Sequence, residues 1–463
     1  MKKNKFKIEY LIYIFIIITP FLDVIACVFR NIFPNAVISP STVLRPIIPL
    51  VLLLYIFFKD KKWRKYIVIS AIILILYGGI HLWLYKGIIT GVSYGSIFSE
   101  LQYIINYTYM IYVLFIFVYF IKKNGLPYLK KSLFIMLCVY LMLLYVSIIT
   151  GTSYPTYVEG IGYRGWFISG NSLSVIFMML SCILISSLIE DRKIYKYIVL
   201  ILMGIYLMFL IGTRTGLFGF LMVLGFYIVS SILLNFIKNK KISYKKIGIG
   251  IGVLVILIGG IFVIGSSTLE RRKYLGNEDT GIIDINTGDV GHTTVDTSNM
   301  IYQIKNNTLV EGYLSDEQKN AYLELYRIAN EKNFKATDRR KQEFVYQYSL
   351  IKEQKNILYI LFGNGYLASY GELILEIELF AILFNFGILG FAIYLGPFIF
   401  MMVVAIKKLF KNKKINSEII MNIFGLLLSI GLSCFMGAMF FSVSGVLLIT
   451  CIISLLIKEG ENL

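Results

Sequence analysis

Histidine is almost missing from this chain, and cysteine is sparse and unpaired. The 463 residues include two histidines, His81 and His292, too far apart to supply a histidine-rich ligand set alone. The five cysteines (Cys27, Cys138, Cys182, Cys434 and Cys451) all lie within apolar runs and show no paired spacing. That argues against a disulfide framework and a metal site, and leaves them as packing residues. Charged residues make up only 16% of the chain, against 57% hydrophobic. No nucleotide-binding motif and no internal repeat is visible.

What the chain has instead is long apolar runs. Many reach ~20 residues, enough to cross a hydrocarbon core of roughly 30 Å as helices. A water-soluble chain of this length would divide into two or three domains; here one polytopic bundle accounts for nearly all of it. The first run, Tyr10–Val28, is long and lacks a small-residue cleavage site, so it is expected to remain as the first helix. The fold class is therefore all-α, a polytopic membrane helix bundle of about 12 transmembrane helices with one large extracytoplasmic loop. Spans are expected at 9–29, 41–58, 66–85, 103–121, 132–150, 168–189, 197–212, 215–237, 247–266, 378–405, 418–434 and 437–457. Three regions follow: helices in 1–266, a polar loop or cap over 267–356, and a re-entry segment with the last helices in 357–463. Gly87–Ser99 is too polar to span and reads as a re-entrant or surface piece, and the turn near Cys434–Gly437 must be tight.

The net charge of +18 is unevenly spread. Of 45 Lys and Arg, 27 fall in short turns at Lys2–Lys7, Lys59–Lys65, Lys122–Lys131, Arg192–Lys196, Lys238–Lys246 and Lys407–Lys414, with Lys458 at the tail. The polar segment 267–356 holds 13 more against 14 acids, so it is nearly neutral. Excess charge on alternate turns marks the cytoplasmic side of a membrane protein. It does not mark a nucleic-acid partner. An even number of spans then puts both termini in the cytoplasm and 267–356 outside.

Five basic residues remain: Arg30, Arg45, Lys86, Arg164 and Arg214, all at the helix ends opposite the basic turns. An arginine costs roughly 2.5–3.5 kcal/mol at a helix centre on insertion scales, so one kept near the membrane has a reason. Snorkelling to headgroups is one reason, and it suits Arg30 and Lys86 best. A guanidinium fork also binds phosphate bidentately, and Arg45, Arg164 and Arg214 converging on one pocket would suit a diphosphate. TPFLD (Thr19–Asp23), SPSTVLRPIIP (Ser39–Pro49) and GTRTG (Gly212–Gly216) are expected to interrupt their helices around a cavity, because each carries Pro or Gly and an ionisable residue.

The polar segment reads as loop or short strand over Leu275–Asn299. Helix follows behind a capping box at Ser315–Gln318, with Ala321, Leu325, Ile328 and Ala329 as its apolar stripe. A second helix is expected after Thr337 or Asp338, with Phe344, Val345, Tyr348 and Ile351 on one face. Asp284–Asp296 resembles a calcium loop only faintly: Gly288 and Asp289 are in swapped order and no Glu closes the ring. The outer acids are Asp23, Glu100, Glu159, Glu372, Glu376 and Glu378. Glu376 and Glu378, in LILEIELF, do not share a helix face, so one can face a pocket while the other pairs with an arginine. A carboxylate in a half-dry site suits a general base for a sugar hydroxyl. Favourable placement at a helix N-terminus is the plainer reading of the pair.

TPFLD, an outer Arg at the start of the second helix, GYRGWFISGN, GTRTGLFG, a long late loop, FGNGY and EIELFAILFNFGILG occur in this order. Together they resemble the O-antigen ligase/polymerase superfamily, in its Gram-positive-like polysaccharide polymerase branch, over nearly the whole chain. The resemblance implies a membrane glycosyltransferase that takes a glycan from undecaprenyl diphosphate outside the cytoplasmic membrane and polymerises repeat units into a surface polysaccharide. Its motifs correspond to Arg214, to Trp166 and Asn171, and to the pair Glu376 and Glu378. With the residues read above, Arg214 and Glu376 or Glu378 are expected to be catalytic and Arg164, Arg45, Asp23, Trp166 and Asn171 to bind substrate. It implies no cofactor and no metal. Lipid-linked oligosaccharide and membrane lipids would be its partners, with a chain-length regulator and other assembly proteins as further candidates. Two departures, the absence of a histidine near the landing helix and Gly437-Ala438 where relatives often carry Gly-His, turn attention from histidine to the acids and arginines. A ligase moving finished polymer to another acceptor shares this design, and a flippase for lipid-linked sugar is the rival from another class.

Overall fold

The computed structural model describes residues 7–33, 39–89, 97–157, 160–191, 193–237, 265–271, 297–308, 316–331, 356–365, 377–413, 415–434 and 442–460, with isolated positions between them. Its helices are α1 (Tyr10–Ile32), α2 (Pro40–Lys59), α3 (Lys61–Ile89), α4 (Ile97–Asn124) and α5 (Leu129–Ile149), then α6 (Gly170–Glu190) and α7 (Ile194–Ile205). After these come α8 (Arg214–Ile237), α9 (Thr297–Lys305), α10 (Asp316–Glu331), α11 (Ile357–Phe362), α12 (Glu378–Lys411), α13 (Ser417–Ser433) and α14 (Val443–Gly460). A small antiparallel hairpin, β1 (Tyr154–Pro155) and β2 (Tyr163–Gly165), lies between α5 and α6.

Among the described residues, nine helices are long and apolar enough to cross a membrane, and the shorter apolar stretches Ile194–Leu210 and Ser417–Ser433 accompany them. Eleven of the expected spans thus coincide with described helices, while 247–266 lies largely outside the described residues. Local chemistry sets several boundaries. Asn356 and Asn416 cap α11 and α13 through their side-chain oxygens. Gly125, at φ 69°, ends α4 ahead of Pro127.

The centre of the bundle is α6 and α14, the most enclosed of the crossing helices. α14 packs on α12, α4, α13, α6 and α1, and its fully buried Ser444, Gly445, Thr450, Cys451 and Ser454 allow close approach. One end of the bundle gathers the described basic turns. There Asn124 bonds Glu9, Lys130 pairs with Glu418 and, at 3.8 Å, with Glu459, and Asn412 donates to the Gly460 carbonyl at 2.8 Å. The ionisable clusters described below sit at the other end of the same helices.

Three local expectations change. α1 runs unbroken through Pro20 and Asp23, and α2 through Pro46 and Pro49, so neither TPFLD nor SPSTVLRPIIP interrupts its helix. Pro20, Pro46 and Pro49 all lie inside their helices, where each lacks a ladder donor and neighbouring helices tolerate the freed carbonyl. The break lies instead inside α12 at Gly387, with φ 67° and ψ −177°. In the polar segment helix already begins at Thr297, inside the stretch expected as loop, and α9 packs on α10. Ile328 is buried, and the Phe344 ring packs on Phe380 and Phe384 of α12, so this segment is seated on the landing helix. In α10, Arg327 bonds Glu324 and holds its carboxyl below the usual range.

Candidate functional site

Asp23, in the half of α1 away from the basic end, is the hub of the first cluster. Arg45 of α2 donates from Nη2 to Asp23 Oδ1 at 2.5 Å, and Ser444 of α14 donates to both carboxylate oxygens at 2.8 and 2.7 Å. The hydroxyl of Tyr140, in α5, donates to Oδ2. Four helices therefore share one carboxylate, and the Arg45 charge is compensated within the protein. The Tyr109 hydroxyl, within electrostatic reach of Arg45 and Asp23, is buried with no hydrogen-bond partner among the described residues.

The second cluster is cationic. α7 passes into a π turn over Tyr206–Leu210, in which the Ile211 amide reaches back to the Tyr206 carbonyl at 3.0 Å. Widening the ladder leaves carbonyls open. Met208 and Phe209 offer theirs to Ser266 and Ser267 at 2.7 and 2.8 Å, and Thr268 donates to Thr213 at 3.3 Å. The chain entering the polar segment is thereby spliced to GTRTG. GYRG docks on the same place: a Cβ built on Gly162 would lie 2.4 Å from the Ile211 carbonyl oxygen, and Tyr206 donates to the Tyr163 carbonyl at 3.0 Å.

This assembly carries three guanidinium groups. Arg164 donates to the Ile168 carbonyl at 2.6 Å and lies over the Tyr154 ring, with Nε buried and unbonded among the described residues. Arg271 stacks on Tyr157 at 3.3 Å from the ring centroid, its Nε likewise unbonded. Tyr157 also borders Gly212, two residues before Arg214, which is exposed. None of the three meets a carboxylate among the described residues. The first two clusters adjoin, because the ring of Tyr140, whose hydroxyl bonds Asp23, packs 5.3 Å from that of Phe167, three residues after Arg164. Trp166 is fixed by donating Nε1 to Thr152 at 3.0 Å, and Asn171 is half-buried in the first turn of α6.

The third cluster surrounds the break in α12. A helix interrupted at Gly387 leaves carbonyls unpaired, and in a membrane protein these must be satisfied internally. The FGNG turn supplies the donors: Asn364 N bonds the Phe384 carbonyl and Gly365 N the Asn385 carbonyl, both at 2.9 Å. Tyr77 of α3 takes the Phe386 carbonyl at 2.8 Å. The approach is backbone on backbone, since a Cβ on Gly387 would stand 2.4 Å from the Leu361 carbonyl and one on Gly363 2.2 Å from the Asn385 oxygen. His81, also on α3, places Nδ1 2.6 Å from the Phe362 carbonyl and Nε2 2.7 Å from Glu100 Oε1. The His81 and Glu100 side chains are 0% and 1% exposed.

Of the expected site residues, Asp23 and Arg45 are brought into contact, and Arg164 and Trp166 share the hairpin. Arg214 heads α8 beside it. Glu378 is fully buried at the start of α12, where its Oε2 accepts the Met439 amide at 2.9 Å. Glu376, Glu159, Glu372, His292, Gly437-Ala438, the 284–296 stretch and the Lys86 side chain lie outside the described residues. No group of three or more His, Cys, Asp or Glu suited to a metal ion occurs among the described residues. Tyr140, Ser444, Arg271 and His81 were not singled out by sequence. For His81 a signal existed: an ionisable side chain inside an apolar helix is a functional-site hypothesis by default.

Fold and clusters together define a polytopic all-α membrane protein whose Asp23, arginine and His81–Glu100 clusters lie toward the end opposite the described basic turns. The family model described as O-antigen ligase like membrane protein matches residues 3–462, and the chain belongs to that family. No curated protein and no solved structure matches it.

Proposed function

We propose that this protein is a glycosyltransferase of the cytoplasmic membrane that takes a glycan from undecaprenyl diphosphate and transfers it at the outer face. The observation that carries this reading is the trio Arg164, Arg214 and Arg271 around one hairpin, without a carboxylate partner among the described residues. Such an array suits a diphosphate, whose charge rises as the glycosyl bond breaks. Arg45 is left out of the grip because Asp23 already neutralises it. The basic end of the bundle faces the cytoplasm in this reading, and 267–356 lies outside as a cap over the glycan.

In the transfer step a carboxylate accepts the proton of the acceptor hydroxyl. That oxygen bonds the anomeric carbon, and the bond from this carbon to the diphosphate oxygen breaks. The diphosphate departs on its lipid, held by the arginines. Glu378 is occupied by the Met439 amide in a fully buried place, which favours Glu376 as the base and Glu378 as its support. Trp166 and Asn171 contribute glycan contacts beside Arg164.

Two acceptors suit this chemistry. The family description favours ligase-type transfer of finished polymer to a separate acceptor, while polymerisation of lipid-linked repeat units rests on the motif set alone. Gel analysis of surface glycan from a deletion strain separates them. Long but unattached polymer supports the ligase, and single repeat units support the polymerase. Glycan retained on lipid inside the cell would instead make this a flippase. Normal glycan after complementation with Arg164→Ala, Arg214→Ala and Arg271→Ala would remove the proposed site.

A further inference from the structure

His81 has two ring nitrogens, and both face oxygen atoms. The Phe362 carbonyl can only accept, so Nδ1 must carry a hydrogen. A neutral imidazole with Nδ1–H has Nε2 as an acceptor, yet Nε2 faces Glu100 Oε1 at 2.7 Å. A proton therefore lies between His81 and Glu100, whichever atom holds it, and the pair is neutral overall. This fixes the ring: Glu100 orients His81, and His81 grips the FGNG turn.

The same helix holds both sides of the crossing. One turn before His81, Tyr77 bonds the Phe386 carbonyl at the break, and its ring stacks on Phe362. Tyr85, one turn after, stacks parallel to His81 and lies against Gly365. FGNG in turn bonds the Phe384 and Asn385 carbonyls. The first turns of α12, from Glu378 to the break, are thus tied at the base by α3 and FGNG and at the top by Met439.

We propose that His81, oriented by Glu100, is a positioning residue of the transfer site: it seats FGNG in the break of α12 and so sets the direction of the short helical stub that follows Glu376 and begins at Glu378. This role rests on the glycosyl-transfer reading given above. It needs the bond to Phe362 and does not need the proton shared with Glu100. A glutamine at position 100 can donate its amide hydrogen to Nε2 while Nδ1–H stays on Phe362, whereas leucine cannot.

The test uses the full-length protein in lipid nanodiscs with a synthetic polyprenyl-diphosphate oligosaccharide donor, together with amide hydrogen exchange over 357–388. His81→Phe and Glu100→Leu are expected to lower kcat roughly a hundredfold, the loss that displacement on the order of 1 Å produces. The donor KM should stay unchanged and the Asn364 and Gly365 amides should lose protection. Glu100→Gln should keep both activity and protection. If His81→Phe fails to fold, Tyr77→Phe, which removes only the hydroxyl on Phe386, should show the same pattern more weakly. Loss of activity in Glu100→Gln with protection intact would make the proton the functional element and overturn the positioning role, as would an unaffected His81→Phe. An inactive wild-type chain would overturn the transfer reading and this role together.

Discussion

Asp23 and Arg45 meet at 2.5 Å across α1 and α2, and the same carboxylate also receives Tyr140 and Ser444. The pair is mostly enclosed, so removing one partner leaves a charge in a poorly solvated place. Arg45→Met is expected to destabilise the protein by about 3–5 kcal/mol, and Asp23→Leu/Arg45→Met to recover much of that loss. Unfolding in detergent measures it. Donor affinity in the folded double variant should stay close to wild type, because Arg45 is already neutralised; a collapse of affinity would return Arg45 to the donor site.

Two tyrosines beside this hub should behave oppositely. Tyr140→Phe removes a hydrogen bond to a charged group and should cost about 1.5–3 kcal/mol. Tyr109→Phe removes a buried hydroxyl that bonds nothing among the described residues, so stability should hold or rise. Parallel thermal unfolding of the two variants decides it.

Arg271 offers a test of grip geometry. Its planar group stacks on Tyr157 at 3.3 Å, an arrangement that lysine cannot copy. Arg271→Lys should therefore weaken donor binding nearly as much as Arg271→Ala, roughly tenfold for one charge-assisted contact. Titration with the diphosphate-linked donor reports it, and full retention in the lysine variant would reduce Arg271 to a general positive charge.

Glycines in α12 should divide sharply. Gly387→Ala combines a positive φ with backbone atoms 2.4 Å from the new methyl, so the crossing cannot form as it stands. Gly396, in the same helix, has nothing within 4 Å of the place a methyl would take, and Gly396→Ala should be neutral or stabilising by up to about 1 kcal/mol. Yield and monodispersity of the two variants after membrane extraction give the comparison.

The two acids of LILEIELF give a further contrast. Glu376→Gln should abolish transfer with the protein folded, as expected of a lost base. Glu378→Gln can still accept the Met439 amide through its side-chain oxygen and should lose far less activity. Equal loss in both would shift the base to Glu378.

Helix positions were largely legible because hydropathy is a local property: nine helices long enough to cross and two shorter apolar ones fall where it places them. Partnerships were not. Asp23 and Arg45 each stood out as outer ionisable residues near proline, but that Ser444, 421 positions away from Asp23, completes the set follows only from packing of the first helix on the last. Proline misled at α1 and α2, where neighbouring helices absorb its missing donor. The interruption at Gly387 hid inside a continuous apolar run, since its loose carbonyls are answered by the FGNG turn, a separate segment earlier in the chain. His81 carried the signal of an ionisable side chain in an apolar helix, but its partner Glu100 and its clamp on Phe362 lie on other elements.

The Asp23 hub also bears on how the chain is made. Asp23 and Arg45 stand 22 positions apart on neighbouring helices, so this half of the hub is complete once α1 and α2 are made. Ser444 lies 421 positions beyond Asp23, so the carboxylate gains its hydroxyl only when α14 is made. A chain cut before Val443 would leave the Asp23 carboxylate without the Ser444 hydroxyl, its α1 unfinished at the polar centre.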